Sequence, residues 1–350
     1  MKKIILVGEI TSYKAIVISK YIKSNYNDIS IYSYDIKKFS KYFITRHSDK
    51  HFIIDSSTFE EDLNKIIINN KVDYFLPVIN DSLYRLWRRK KEYSNTLDYL
   101  GDIETYNILN DKIRLHQLAE HLGLMVPKRY DSMVKAQIPY VVKPTNLSSA
   151  KGVIYVKSKK DIPTDIEYDN IIIQQYVQGV GVGFSFYSSN GVIKNGYGHK
   201  RIAEYPVSGG SSTYRESYSN DKMVDIASKI VGHLNYSGFA MFEYKLTSEN
   251  EIYLIEVNPR IWGSVNQGLA NGVNFFEDIL GKADILINTP KREKKTYLSP
   301  LFYLSSIKYI IKLEFRPIYY FLKNLRHNSS DVSPFIDPKG YISLILRKIL

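Results

Sequence analysis

The sequence predicts an α/β protein, and three patterns along the chain favour this fold class. In the first hundred residues, short apolar runs alternate with segments of helical spacing. A strand, a loop of small residues and a return strand follow at 140–156. Two further apolar runs, at 239–245 and 252–255, are joined by a polar turn and predict a β-hairpin.

The amino-terminal part of the chain is predicted to form a small parallel sheet. Strands are expected at 3–7, 29–34 and 74–78, with helices at 12–23 and 62–69 between them. Such an order places ligand-facing loops at the carboxyl ends of the strands. Gly8 follows the first strand, but no G-x-G-x-x-G pattern begins there, so the phosphate-loop signal is weak.

An amphipathic helix is predicted next, over 110–122. Asn110 or Asp111 is the expected N-cap, and Gly123 and Pro127 would stop the helix.

A lysine marks the end of the strand predicted at 140–144. Lys143 precedes the small-residue loop 145–152, whose backbone N–H groups could cover phosphates as a flap. The loop is not a Walker A motif, because G-x-x-x-x-G-K-[ST] is absent. A solvated lysine at a strand end is the simpler alternative.

The predicted hairpin is the most informative part of the sequence. It would set Glu243 on the first strand beside Glu256 on the second. Alternate side chains of an extended segment share a face, so Glu256, Asn258 and Arg260 stand in one row. Two adjacent carboxylates repel each other unless a cation lies between them. Oxygen ligands beside a fixed cation suit a divalent ion that carries a polyphosphate, whereas two solvated carboxylates on an amphipathic hairpin are the alternative.

Together these motifs resemble the ATP-grasp superfamily, in particular its carbamoyl-phosphate-synthetase-like group of ATP-dependent carboxylate–amine ligases. The resemblance covers about residues 3–282. It implies an ATP-grasp fold with an amino-terminal parallel-sheet (pre-ATP-grasp) subdomain and two α+β subdomains that clasp ATP. The expected divisions are 1–105, 106–180 and 181–290, followed by a basic, aromatic extension at 291–350.

The resemblance also implies roles for individual residues. Glu243, Glu256 and Asn258 would hold Mg²⁺, with Mn²⁺ as an alternative ion, and Lys143, Arg201 and Arg260 would supply fixed positive charge for catalysis. The implied nucleotide-binding residues are Lys112, Lys143, Ser148, Ser149, Lys151, Gly152, Gln174, Gln175, Tyr176 and Val177.

The chain departs from the family pattern at two places in the implied adenine-binding segment. Gln175 stands where Glu or Lys is usual, and Gly-Val-Gly-Val-Gly at 179–183 replaces an acidic residue that binds the ribose.

A cationic pocket wall is predicted at 198–215. His-Lys-Arg at 199–201 is followed by a Gly-Gly-Ser-Ser turn, where backbone could approach an anionic ligand. Lys200, Arg201 and Arg215, with Arg260 as a further candidate, would favour an acceptor substrate that bears a carboxylate. A charged turn followed by an ordinary loop is the alternative.

The reaction implied by the resemblance is that of an ADP-forming carboxylate–amine ligase. A small-molecule carboxylate attacks the γ-phosphate of ATP, and an amine then displaces phosphate from the acyl phosphate. Natural-product, peptide and surface-polysaccharide modification are open as settings. The chain has no cysteine, which excludes disulfides, thiolate metal sites and a cysteine nucleophile.

The net charge of +12 leaves several explanations open. Nucleic acid, anionic lipid and anionic metabolites would each attract a basic chain, while a compositional bias toward Lys, Ile, Asn and Tyr needs no partner. The rival function is a non-catalytic nucleotide-sensing or nucleic-acid-binding protein. The tyrosines are spread along the chain and no RNP, KH or zinc pattern occurs, so no nucleic-acid partner is expected.

The carboxyl-terminal extension interleaves apolar and basic residues. Over 291–325 it fits either a peripheral membrane or protein contact, or packing against the domain. The segment 337–346 is expected to return to the body as a strand or helix. Without a signal-peptide or membrane-span pattern, a cytoplasmic protein is expected, and a homodimer is an open alternative to a monomer.

Overall fold

Three β-sheets with flanking helices make up the computed structural model, in which residues 2–93, 95–145, 152–166, 170–207, 209–284 and 292–349 are described. A parallel sheet lies at the amino terminus, a small antiparallel sheet follows, and a seven-stranded sheet occupies the second half of the chain. The predicted α/β fold class is confirmed.

The amino-terminal sheet has four parallel strands: β1 (Lys3–Val7), β2 (Ile29–Asp35), β3 (Lys50–Ile53) and β4 (Tyr74–Leu76). Their order across the sheet is β3-β2-β1-β4. The strand predicted at 74–78 ends at Leu76, because Pro77 has no N–H to donate to a neighbouring strand.

The helices of the described residues flank these sheets. They are α1 (Tyr13–Asn25), α2 (Phe59–Asn69), α3 (Asn80–Arg88), α4 (Ile103–Asn110), α5 (Lys112–His121), α6 (Asp221–Leu234), α7 (Val265–Leu269), α8 (Glu277–Leu280), α9 (Leu301–Ile311), α10 (Arg316–Lys323) and α11 (Pro338–Ile349). None of these helices is both long enough and apolar enough to cross a bilayer.

The start of α5 is set by its N-cap. The Asp111 carboxylate accepts hydrogen bonds from the backbone N–H groups of Ile113 and Arg114, at 2.8 and 2.9 Å. Asp111 is thus the cap, one of the two predicted candidates, and Lys112 is the first helical residue. The cap therefore fixes the direction in which the Lys112 side chain leaves the helix.

The small sheet is antiparallel: β5 (Arg129–Tyr130), β6 (Tyr140–Pro144), β7 (Ile154–Val156) and β8 (Ile171–Gln175). The order is β5-β8-β6-β7. Tyr140, Val142, Val156 and Ile173 form its apolar core. The predicted strand–loop–strand unit is therefore β6 and β7.

The large sheet comprises β9 (Val180–Ser189), β10 (Val192–Tyr205), β11 (Ser211–Ser217), β12 (Gly238–Leu246), β13 (Ile252–Asn258), β14 (Lys295–Tyr297) and β15 (Asn328–Ser330). Its order is β13-β12-β9-β10-β11-β14-β15. The Phe186 and Phe242 rings pack at a tilt of 39° with 5.4 Å between their centroids, and Met223 and Ile230 of α6 lie in the same core cluster. This packing fixes β9 and β12 side by side.

The carboxyl-terminal extension is joined to the rest of the molecule at several points. β14 pairs with β11 and extends the large sheet, and α11 places Leu344 in a core cluster. The Arg347 guanidinium donates a hydrogen bond to the Thr11 hydroxyl at 2.6 Å. The predicted return of 337–346 is seen as a helix, while the predicted domain boundaries stay predictions.

Candidate active site

The predicted hairpin brings its two carboxylates together. Glu243 on β12 is the direct cross-strand partner of Glu256 on β13. The Asn258 amide donates to Glu243 Oε1 at 3.0 Å, and Arg260 Nη2 donates to Asn258 Oδ1 at 2.8 Å. Glu243, Glu256, Asn258 and Arg260 are therefore neighbours, as the alternation of side chains predicts, while their role as metal ligands and fixed cation stays a prediction.

Arg201 reaches this row from two strands away. It lies on β10, and its guanidinium crosses β9 to pair with Glu243 on β12, with Glu204 3.4 Å away as a second partner. The crossing is open because Gly181 has no side chain: a Cβ there would lie 2.9 Å from Arg201 Cδ. Of the three glycines at 179–183, Gly181 thus makes room for Arg201.

Gly183 makes similar room for a buried histidine. A Cβ at this position would lie 2.6 Å from His199 Cε1, and the His199 side chain is buried. Gly183→Ala is expected to lower the free energy of unfolding by about 1–3 kcal/mol, because an enclosed ring cannot move aside without disturbing its neighbours.

Urea unfolding would measure the effect of Gly183→Ala against a matched control. Gly232 lies in α6, where a Cβ would have its nearest contact at 3.8 Å. Gly232→Ala is expected to stabilise by about 0.5–1 kcal/mol through helix propensity. If Gly183→Ala were as stable as the wild type, the close approach to His199 would not be a packing constraint.

The electrostatics of the carboxylate pair favour a bound cation. Burial raises the pKa of Glu243, Arg201 opposes this effect, and the neighbouring Glu256 adds to it. Among the described residues no group of three His, Cys, Asp or Glu side chains could hold a metal ion. Glu243, Glu256 and Asn258 could instead supply two carboxylates and an amide oxygen, and all-oxygen ligands of this kind fit a hard ion such as Mg²⁺.

The carboxylates face a cleft of about 530 Å³ between the small and large sheets. Lys112 and Lys143 enter it from the side of the small sheet, and Lys112 Nζ lies 3.9 Å from Glu256 Oε2. Burial lowers the pKa of Lys143 to about 8; Glu256 opposes the shift and Lys112 adds to it. Two lysines and two carboxylates therefore meet in one cleft, an arrangement suited to a metal-bound phosphate chain.

The segment after β8 forms another part of the cleft wall. Gln175, Tyr176 and Val177 line the cleft, whereas the Gln174 side chain is buried and does not. The difference follows from the alternation of side chains in β8. The Tyr176 ring lies edge-on to Tyr155, with 6.0 Å between centroids, so an aromatic surface borders this part of the cleft.

Four further residues expected to bind the nucleotide belong to the loop 145–152. Ser148, Ser149 and Lys151 are outside the described residues, and Gly152 adopts a positive φ of 67° beside the cleft-lining Val153.

Arg215 is not a pocket cation, so that expectation was wrong. Its side chain is fully buried and pairs with Asp331, because its strand β11 lies under the carboxyl-terminal extension. Lys200 points to the opposite face of β10 from Arg201 and has Glu216 as its cross-strand partner. Of the four expected cations, Lys200, Arg201, Arg215 and Arg260, Arg201 lines the cleft.

The cleft is also lined by charged residues that the sequence motifs did not predict to lie there. Lys245 lies two positions after Glu243 on the same strand, and the alternation of side chains could have revealed it. Glu204, Lys312 and Glu314 also line the cleft. The last two come from the loop between α9 and α10, and no sequence pattern connects that loop with the hairpin.

Comparison with known proteins identifies the domain that surrounds this cleft. Residues 109–264 match a family model described as an ATP-grasp domain. The chain carries an ATP-grasp domain. This stretch includes the hairpin carboxylates, Lys112, Lys143 and Arg201, so the family resemblance inferred from the sequence is confirmed.

Solved structures show the same fold at low sequence identity. A biotin carboxylase–β,γ-ATP complex from Campylobacter jejuni has a TM-score of 0.60 and 15% identity, covering 79% of this chain and 70% of that one. The L-amino acid ligase of Bacillus licheniformis has a TM-score of 0.57 and 16% identity, covering 80% of this chain and 73% of that one. The ATP-grasp fold predicted for the chain is therefore confirmed.

One curated relative matches part of the chain. It is the 5-formaminoimidazole-4-carboxamide-1-(beta)-D-ribofuranosyl 5'-monophosphate synthetase of Pyrobaculum aerophilum, 24% identical over 143 residues. The match covers 40% of this chain and 41% of the relative.

Proposed function

We propose that the protein is an ADP-forming ligase that joins a substrate carboxylate to an amine at the expense of ATP. The observation behind this proposal is that Lys112 and Lys143 share one cleft with the paired carboxylates Glu243 and Glu256. The ATP-grasp domain around the cleft supports it, as do ligases and carboxylases among proteins of the same fold.

The proposed first step forms an acyl phosphate. An oxygen of the substrate carboxylate attacks the γ-phosphorus of ATP, the bond to the β–γ bridging oxygen breaks, and ADP leaves. Lys112 and Lys143 hold the phosphates by their positive charge. Arg201, which lines the cleft, and Arg260, which is hydrogen-bonded to Asn258, would add positive charge beside the oxygen row. Mg²⁺ held by Glu243, Glu256 and Asn258 would neutralise phosphate charge.

The proposed second step transfers the acyl group. The amine nitrogen attacks the acyl carbon, phosphate leaves with the electrons of the carbon–oxygen bond, and the nitrogen loses a proton to solvent or phosphate. No side chain forms a covalent bond in either step. The chain's contribution is to position the reactants and supply fixed charge in a partly enclosed cleft.

Gln175, Tyr176 and Val177 are proposed to contact the adenine edge. All three line the cleft, and the Tyr176 and Tyr155 rings provide apolar surface for a flat base. Gln174 could contact the adenine only through its main chain, because its side chain is buried outside the cleft.

A substrate screen read by ADP release tests the proposal. Purified protein with MgCl₂ and ATP would be offered free amino acids first and nucleotide-linked uronic acids next, each with a panel of amines. ADP production that requires both a carboxylate and an amine is the expected result. Absence of both ATP binding and ADP release would contradict the proposal, and steeply salt-dependent binding to random oligonucleotides would then favour the rival nucleic-acid function.

ATP affinity is expected to fall as pH rises from about 7 to about 9. The pKa of Lys143 is lowered to about 8, so its ammonium is charged below that pH and increasingly neutral above it. Loss of one proton gives a decline of up to about tenfold per pH unit above the pKa.

Isothermal titration with ATP at several pH values measures this dependence. Lys143→Met should bind ATP more weakly, with a flatter pH profile through this range. A wild-type profile identical to that of Lys143→Met would show that Lys143 does not contact the nucleotide.

A further inference from the structure

Among the described residues, helices α9 and α10 pack against the rest of the protein along one side. Their inner side chains, including Phe302, Tyr309 and Phe321, pack in one cluster with Tyr214 of the large sheet. Because both helices are seated on the same cluster, their opposite sides face away from the protein together. We call this surface the outer face of α9–α10.

The outer face is rich in large apolar side chains. Each is between 47% and 78% exposed, and together they fall within 23 consecutive positions: Tyr303, Leu304, Ile307, Ile310, Ile311, Leu313, Phe315, Tyr319, Leu322 and Leu325. Single exposed apolar residues are common on proteins, but ten of them on two packed helices and their loops indicate an interaction surface.

The same face is strongly basic. Exposed cations lie among the apolar residues at Lys308, Lys312, Arg316, Lys323 and Arg326. Within the described part of the chain none of these five is ion-paired, and Glu314 is the one acidic residue between positions 301 and 327. Apolar side chains interspersed with unpaired cations are suited to the headgroup region of an anionic bilayer, where the cations meet lipid phosphates and the apolar side chains reach the acyl boundary.

We propose that the outer face of α9–α10 docks on the surface of an anionic lipid membrane. The contact would be peripheral, since no described helix can cross a bilayer. A second copy of the chain fits less well: a twofold interface apposes identical patches, so it would bring two sets of five cations together. Docking would also bring the loop bearing Lys312 and Glu314, and with it the rim of the cleft, close to the lipid.

Vesicle flotation with the full chain tests the proposal. Wild-type protein should float with vesicles of equal parts phosphatidylcholine and phosphatidylglycerol, much less with phosphatidylcholine alone, and less at high salt. Lys308→Gln combined with Lys323→Gln should lower the partition coefficient about thirtyfold. Ile307→Ser and Leu322→Ser should each lower it about tenfold.

Matched substitutions outside the outer face serve as controls. Lys65→Gln and Val134→Ser change exposed residues of the same types and should leave vesicle binding unchanged. Wild-type protein that floats with neither vesicle would overturn the proposal, as would equal binding by the Lys308/Lys323 variant. If the wild type self-associates and Ile307→Ser abolishes that association, the outer face would instead be assigned to a second copy of the chain. ADP release is a separate readout, so loss of the ligase proposal leaves this test intact.

Discussion

Glu256→Gln is expected to lower the rate of ADP release by about 10²–10³-fold without unfolding the protein. Glu256 lies directly opposite Glu243 in the hairpin, and Lys112 Nζ is 3.9 Å from its carboxylate. Glutamine keeps the volume and one oxygen but removes the negative charge, and a divalent cation in the proposed site depends on that charge. The effect should appear mainly in kcat, because phosphate charge must be neutralised most strongly in the transition state.

The matched control is Glu249→Gln, the same chemical change in the turn of the same hairpin. Glu249 is exposed and far along the strands from the cleft, so its variant should keep wild-type turnover. Thermal unfolding of both variants separates a role in the site from a role in folding. Wild-type turnover by a well-folded Glu256→Gln protein would remove Glu256 from the metal site, and a loss of stability with turnover retained would assign it a structural role.

The hairpin could be predicted from sequence because its rules are local. A period of two, a polar turn and two apolar runs place Glu243 beside Glu256, and the structure has that register. Helix α5 could also be predicted: the sequence offered Asn110 or Asp111 as its cap, and the structure has Asp111. Lys143 at the end of β6 followed from the same kind of argument.

Contacts that depend on the order of strands could not be predicted in this way. Arg201 meets Glu243 only because β9 lies between β10 and β12. No local sequence pattern specifies that strand order. Ile255 lines the cleft beside Glu256 because a β-bulge interrupts the pairing after Glu243, and such an irregularity has no simple sequence signal.

Arg215 is a residue that the sequence placed at the pocket and the structure places elsewhere. Its neighbours in sequence are polar and suggested a pocket wall, yet β11 is covered by residues more than a hundred positions later. The partner that decides its role, Asp331, belongs to a tail that sequence patterns alone could not place. The pair therefore supplies a test of how the extension is attached.

Asp331→Asn is expected to destabilise the protein by about 3–5 kcal/mol. Arg215 and Asp331 form an ion pair whose side chains are 0% and 1% exposed, and Asn266 donates a further hydrogen bond to Asp331 at 3.0 Å. The substitution keeps the shape of the side chain but leaves the Arg215 guanidinium buried without a counter-ion. The cost of that uncompensated charge, more than the lost attraction, sets the size of the effect.

Two companion variants make this prediction specific, with urea unfolding as the measurement. Asp225→Asn breaks the exposed Asp225–Lys229 pair, whose side chains are 59% and 54% exposed, and should cost less than about 1 kcal/mol. Replacing both buried partners, as Arg215→Met with Asp331→Leu, should recover most of the lost stability, because no charge then remains buried. A double variant as unstable as Asp331→Asn would show that the hydrogen bonds of the pair, and not its unbalanced charge, hold the extension in place.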